Sequence, residues 1–136
     1  MFPDFWKKMY QGIFRANMLL ETLDVVKTWE NPELKDQIAA EARFLRAYFY
    51  FDLCRMFGTV PLVLTTEAVN NPRAEAKDLY AQIAEDLKYA IQTLPDKKYE
   101  PKDSQLGHAT KWAAESLLAR VYLFYTGYYN QDALPL

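Results

Sequence analysis

The stretch Ala40-Glu41-Ala42-Arg43-Phe44-Leu45-Arg46-Ala47-Tyr48-Phe49-Tyr50-Phe51-Asp52-Leu53 decides the fold. Its apolar residues recur every three or four positions, the period of a helix face, and do not alternate as a strand would. Extended both ways, Leu34, Ile38, Ala42, Leu45, Phe49, Leu53 and Met56 form one apolar stripe. Ala40, Phe44, Ala47, Tyr48 and Phe51 form a second. A helix apolar on two sides must lie between neighbours. Its ends are marked as well. Asn31 can cap, Pro32 suits the first helical position, and Glu33 complements the positive end of the dipole. Gly58 supplies the stop.

Working outward, the spacing of Trp6, Met9, Tyr10, Ile13, Ala16, Leu20 and Leu23 predicts a first helix from about Asp4 to Trp29, with Asp4 as its cap. Gly12 falls inside it and permits close approach by another helix. Downstream, Thr59 to Pro72 reads as an extended connector with at most a short strand. A third helix is predicted from about Ala74 to Leu94, on Leu79, Ile83, Leu87, Ala90, Ile91 and Leu94, followed by a polar loop from Asp96 to Gly107. The fourth starts after Thr110 and runs to about Tyr125, facing inward with Ala114, Leu117, Leu118, Val121, Phe124 and Tyr125, and stops at Gly127. The fold class is all-α: two antiparallel helix pairs, one on each side of the connector, with the second and fourth helices most buried. Alanines at the crossings (Ala39, Ala40, Ala42 and Ala47; Ala109, Ala113, Ala114 and Ala119) let axes approach closely. Small residues alternating with large rings make this a tetratricopeptide-like (TPR-like) superhelix, although the 34-residue consensus is absent.

Composition excludes several functions. Sixteen Lys and Arg against 18 Asp and Glu leave a charge of −2, so there is no basic excess for nucleic acid. One Cys and one His rule out an internal disulfide and a Cys/His zinc site, and four Gly leave little for a phosphate loop. No cofactor or metal is expected. The longest apolar runs fall far short of the ~20 residues of a membrane span, and Met1–Tyr10 lacks the apolar core of a signal peptide. The aromatic content, 8 Phe, 10 Tyr and 3 Trp, is high, and such rings need either a core or a ligand.

Candidate catalytic residues are few. Glu41, Glu85 and Glu115 sit on largely apolar helices and are expected to be solvated or paired with Arg43, Arg46 or Arg120. His108 reads as a loop or helix-start residue, Cys54 as a small buried hydrophobe, and Ser104 and Ser116 have no nucleophile-elbow context. Asn17, among Ile13, Phe14 and Leu20, is expected to tie the first helix to a neighbouring backbone. Phe5, Trp6 and Tyr10 cluster at the start of the chain. They either pack in the core or form a platform on which the C–H face of a pyranose stacks.

The quoted Ala40–Leu53 helix strongly resembles the signature helix of SusD/RagB-type proteins. Other landmarks follow in that family's order: Trp6, Tyr10 and Ile13 before Arg15-Ala16-Asn17; Phe57-Gly58-Thr59-Val60-Pro61-Leu62; Leu79-Tyr80-Ala81-Gln82-Ile83-Ala84-Glu85-Asp86-Leu87 ending in Leu94-Pro95; and Gly107-His108-Ala109-Thr110-Lys111 with Leu117-Leu118-Ala119-Arg120-Val121-Tyr122-Leu123. The resemblance implies a lipid-anchored nutrient-binding protein on the extracellular face of the Bacteroidetes outer membrane, not an enzyme. It would capture oligosaccharides for a SusC-like TonB-dependent transporter. Members of the family are several times longer and begin with a lipoprotein signal and its lipidated Cys. The expectation is therefore that residues 1–136 are a single helical scaffold domain of a longer chain. Gly127-Tyr128-Tyr129-Asn130 also replaces the more usual Gly-Asp-Tyr turn.

The competing function is a TPR-like protein-interaction scaffold without sugar binding. Ligand-binding residues are expected at Trp6, with Phe5 and Tyr10 beside it. Self-association is expected through Tyr122, Tyr125, Tyr128 and Tyr129, read as uncovered rings.

Overall fold

The structure, a computed structural model, describes residues 2–136. It holds four helices: α1 (Phe2–Val25), α2 (Pro32–Phe57), α3 (Ala76–Thr93) and α4 (Lys111–Tyr129). Each packs on the next in sequence, and α2 also touches α4. The only β pairing among the described residues is an isolated antiparallel bridge between Pro61 and Arg73 in the connector. The chain is all-α, as the two-sided stripe of α2 requires. Residues 26–31 are too few to let α1 and α2 run any way but antiparallel.

Local chemistry sets most boundaries. The Asn31 side chain accepts from the Glu33 N–H at 3.0 Å, and Pro32 opens α2. Gly58 takes φ 73°, left-handed backbone that favours glycine, and donates its N–H to the Cys54 carbonyl. Thr110 caps α4 by accepting from the Ala113 N–H at 3.3 Å. Other boundaries differ from the expectation. Asp4 lies in the first turn of α1 rather than capping it, and α1 ends at Val25, short of Trp29. Gly127 is inside α4, which continues to Tyr129 and ends on Asn130 at φ 50°. Asparagine reaches the left-handed region at little cost, so the stop moves there.

The core runs through Ile13, Ala47, Tyr50, Leu53, Val60, Leu79, Tyr80, Ile83, Leu87 and Val121, all essentially inaccessible. Two expectations about it need correction. α3, not α4, joins α2 as the more buried helix, with seven buried residues in eighteen against four in nineteen. α3 is covered by α2 on one side and α4 on the other, whereas α4 has a neighbour on its inner side alone. Leu34, Leu45 and Met56 of the first stripe are exposed, so that stripe is covered only where α1 crosses it.

That crossing is close. A Cβ on Gly12 would stand 2.5 Å from a ring carbon of Phe49, well inside contact distance. Alanine in a helix interior is favoured over glycine by ~1 kcal/mol, but overpacking costs about 1–3 kcal/mol. Gly12→Ala is therefore expected to lower stability by about 1 kcal/mol in urea unfolding. The double variant Gly12→Ala/Phe49→Leu should recover it. A stabilised Gly12→Ala chain would show that Phe49 moves freely.

A small polar cluster is buried within the core. Arg46 of α2 donates from Nε and Nη2 to the two carboxylate oxygens of Asp86 on α3, each at 2.8 Å, and from Nη1 to Asn17 Oδ1 on α1 at 2.8 Å. Asn17 donates in turn to the Val63 carbonyl at 3.0 Å. All three side chains are buried. Gln82 donates to Asp86 Oδ1 at 3.2 Å, and Arg43 stands 3.7 Å from it. Asn17 thus ties α1 to the connector as expected, whereas the carboxylate partner of Arg46 is Asp86 and none of the three glutamates. Tyr50 completes the anchorage: its hydroxyl accepts from the Val63 N–H at 2.7 Å and donates to the Val63 carbonyl at 2.8 Å. At the outer edge Glu21 accepts from the Thr66 hydroxyl and N–H at 2.6 and 2.9 Å. These bonds hold its carboxyl below the usual range.

Candidate functional site

A helix places residues i and i+4 on one face. Trp6 and Tyr10 accordingly lie together on α1, with ring centroids 5.1 Å apart at 42°. Phe57, the last residue of α2, meets Trp6 edge-on at 5.0 Å, and Tyr10 meets Tyr50 edge-on at 6.3 Å. The Tyr10 hydroxyl donates to the Pro61 carbonyl at 2.7 Å, so it is committed to the connector, and burial pushes its phenol up. Trp6 and Tyr10 are both half-buried: one part of each ring packs and the other faces out.

Their outward parts border an open depression of about 580 Å³, lined also by Lys7, Gln11, Phe14 and Arg15. Phe5 does not line it; its ring turns to Phe57 at 6.3 Å. Of the three expected ligand residues, the structure brings Trp6 and Tyr10 together and leaves Phe5 aside. Lys7, Gln11, Phe14 and Arg15 were not anticipated. Lys7, Gln11 and Arg15 recur every four residues on α1, which reads as an ordinary solvated face. The clue lay in Phe14, 48% exposed, a large ring standing where that face should be polar. The depression combines flat apolar surface with amide and cationic donors.

A second depression, of about 550 Å³ between α3 and α4, is lined by Ile91, Leu118, Ala119, Tyr122, Leu123 and Leu134 with Glu115. It is almost wholly apolar and offers sugar hydroxyls little. Of the four terminal tyrosines, Tyr122 and Tyr128 are exposed, Tyr129 is half-buried and Tyr125 is buried against Tyr80 at 4.7 Å. The expectation that Tyr125 is uncovered is thus corrected; it faces α3.

The candidate acids are scattered. Glu41 binds His108 Nδ1 at 2.8 Å, Glu85 is exposed, and Glu115 stands 4.0 Å from Lys111. None forms an ion pair with Arg43, Arg46 or Arg120; Arg46 is engaged by Asp86, and Arg43 stacks on Tyr89 at 4.5 Å. Cys54 is buried, and burial pushes its thiol up to about 12, leaving it inert as a nucleophile. The described residues contain no cluster of metal-ligating side chains, and none of their helices is long and apolar enough to cross a membrane.

Fold and site together define a TPR-like helical scaffold with an aromatic, amide-bearing face on its first helix. Residues 1–123 match the SusD-like family described as starch-binding and associating with the outer membrane. The chain belongs to this SusD-like family. A SusD-like protein of Bacteroides ovatus is 32% identical over 130 residues, covering 92% of this chain and 23% of that protein. SusD-like protein P25 of Formosa agariphila is 31% identical over 125 residues, covering 88% and 23% respectively. Among solved structures, a laminarin-binding SusD-like protein superimposes with TM-score 0.81 at 36% identity, over 90% of this chain and 26% of that one. A structure with xylogluco-oligosaccharide gives TM-score 0.77 at 31% identity, over 90% and 24%. The chain spans about a quarter of the length of the relatives it matches.

Proposed function

We propose that this chain is the helical scaffold of a glycan-capture protein, and that the α1 depression contributes to its sugar contact. It works on the extracellular face of the outer membrane, as a binding protein without hydrolytic activity, and delivers oligosaccharides to a SusC-like TonB-dependent transporter. Residues 1–136 form one helical domain of that longer protein. The observation that carries the reading is the half-buried Trp6 ring beside Tyr10, Gln11 and Phe14, in a chain whose relatives include structures named for laminarin and xylogluco-oligosaccharide. Trp6 presents the widest ring and Tyr10 its neighbour; Phe5 supports Trp6 through Phe57.

The test is a titration of laminarin-, xyloglucan- and starch-type oligosaccharides followed by tryptophan fluorescence. A stacked ring contributes ~0.5–1.5 kcal/mol, and ordering costs offset part of it, so millimolar affinity, which needs about 4 kcal/mol, is the most expected. Trp6→Ala should weaken binding roughly 2- to 12-fold, after circular dichroism confirms that the variant folds. Trp6→Phe, which keeps a ring, should lose less. Binding unchanged in Trp6→Ala would remove that residue from the site.

The interaction-scaffold reading rests on the apolar depression between α3 and α4, where Tyr122 and Leu123 are exposed beside Leu118 and Leu134. Apolar surface of that kind mediates association, so concentration-dependent self-association is expected in sedimentation velocity. Leu123→Lys should suppress it. A monomer at every concentration would contradict this expectation.

A further inference from the structure

The charges around the α1 depression say more than its rings do. Lys7 and Arg15 stand at its two ends, eight positions apart on one helix, or about 12 Å along the axis. Gln11 lies midway between them, and no carboxylate lines the depression. Among the described residues neither cation takes part in an ion pair, although Lys35, Arg43, Arg46, Arg55 and Lys111 all do. Both are exposed. Asp4, one turn before Lys7, is the acid nearest in sequence and does not border the depression. Arg15 also borders the neighbouring groove that Glu41 lines, but that carboxylate is taken by His108. A chain of net charge −2 thus keeps two cations beside the Trp6 and Phe14 rings in a depression without a carboxylate.

Resting on the reading of this face as a glycan contact, we infer that it selects anionic oligosaccharides, pyranose chains bearing carboxylate or sulfate groups. Trp6 and Phe14 cover the C–H faces of the sugar rings, Gln11 donates to hydroxyls, and Lys7 and Arg15 each meet one anionic group. Arginine offers a planar fork suited to carboxylate or sulfate, and lysine a compact charge on a flexible stem. The 12 Å span suits anionic groups repeated along a chain better than a single charge. A neutral glucan leaves both cations without partners.

The experiment compares three probes of equal length by calorimetry: a neutral laminarin oligosaccharide, an oligogalacturonate and a sulfated galactan oligosaccharide. At low salt at least one anionic probe should bind roughly fivefold tighter than the neutral one, the scale of two exposed ion pairs. The advantage should vanish near 1 M salt, where the screening length falls to ~3 Å. It should vanish equally in Lys7→Gln/Arg15→Gln, whose exposed positions leave folding intact. Whichever anionic probe binds better identifies the group as carboxylate or sulfate. Equal, salt-insensitive binding of all three probes that is weakened in Trp6→Ala overturns the inference and leaves the glycan site standing. An anionic preference that survives the double variant overturns it too, since the cations responsible then lie elsewhere. Absence of binding by every probe overturns both.

Discussion

Asp86→Ala is expected to be the most damaging single substitution outside the apolar core. Removing one partner of a buried ion pair leaves the other charged and poorly solvated, at a cost of about 3–5 kcal/mol. Here the stranded group is the Arg46 guanidinium, whose Nε and Nη2 both donate to Asp86. Its remaining acceptor is Asn17 Oδ1. Because Asn17 also holds the connector through Val63, the loss spreads from α3 to α1. Domains are stable by only ~5–15 kcal/mol, so the variant should be marginal at room temperature. Asp86→Asn, which keeps one acceptor oxygen, should lose less. Arg46→Met/Asp86→Leu should recover much of the loss, because apolar residues often replace a buried pair, but stay ~1–3 kcal/mol below the parent, since the buried Asn17 Oδ1 loses its donor. Urea midpoints of the four chains check this. An Asp86→Ala midpoint equal to the parent's would mean that Arg46 is solvated in the space the carboxylate leaves at no cost.

Alkaline pH should unfold the chain for a separate reason. Burial pushes the Cys54 thiol from 9.0 up to about 12. Burial likewise pushes the Tyr50 hydroxyl from 10.0 up to about 12, against the opposing influence of its bond to Val63 and of Arg46. Tyr80 and Tyr10 are raised in the same direction by the same cause. In each case the folded state holds the proton more tightly. The associated stability is fully present below the unfolded values, near 9.0 for Cys54 and 10.0 for Tyr50, and is lost as pH rises through the folded ones. Each group then loses about 1.4 kcal/mol per pH unit. From pH 10 to 12 these two alone remove about 5 kcal/mol, comparable with the whole stability of a small domain. The urea midpoint should be level to about pH 9 and fall steeply above pH 10, and Cys54→Ala should move the onset of loss toward the tyrosine value. A midpoint unchanged to pH 11 would contradict the burial of these groups.

What was legible in the sequence was local or periodic. The cap at Asn31, the proline after it, the positive φ at Gly58 and the cap at Thr110 depend on neighbouring residues, and each is where its residue type predicts. The stripe from Leu79 to Leu94 became the core face of α3, because a 3.6-residue repeat leaves one side to bury. Asn17 was legible as a buried amide, but its partners were not. The Arg46–Asp86 pair joins residues forty positions apart, and no spacing rule connects them. Asp86 could have been suspected from its place between Ile83 and Ala90 on the apolar side of α3, where an unpaired acid cannot rest. The exposure of Leu34, Leu45 and Met56 was hidden because apolar periodicity says which side wants cover, not how far the neighbour extends. The α1 depression was half legible. Trp6 and Tyr10 drew notice as aromatics, whereas Lys7, Gln11 and Arg15 look like any solvated helix face until Phe14 is seen beside them.

The most direct test of the account is to map a bound sugar on the folded chain by ¹H–¹⁵N NMR, titrating laminarin-type and anionic oligosaccharides. A sugar contact on α1 predicts saturable shifts of the Trp6 indole and the Gln11 side-chain amide, with backbone shifts between Lys7 and Arg15. Trp112 on α4 should stay silent. Shifts confined to α3 and α4, or no shifts at all as the sugar is raised to its solubility limit, would contradict it.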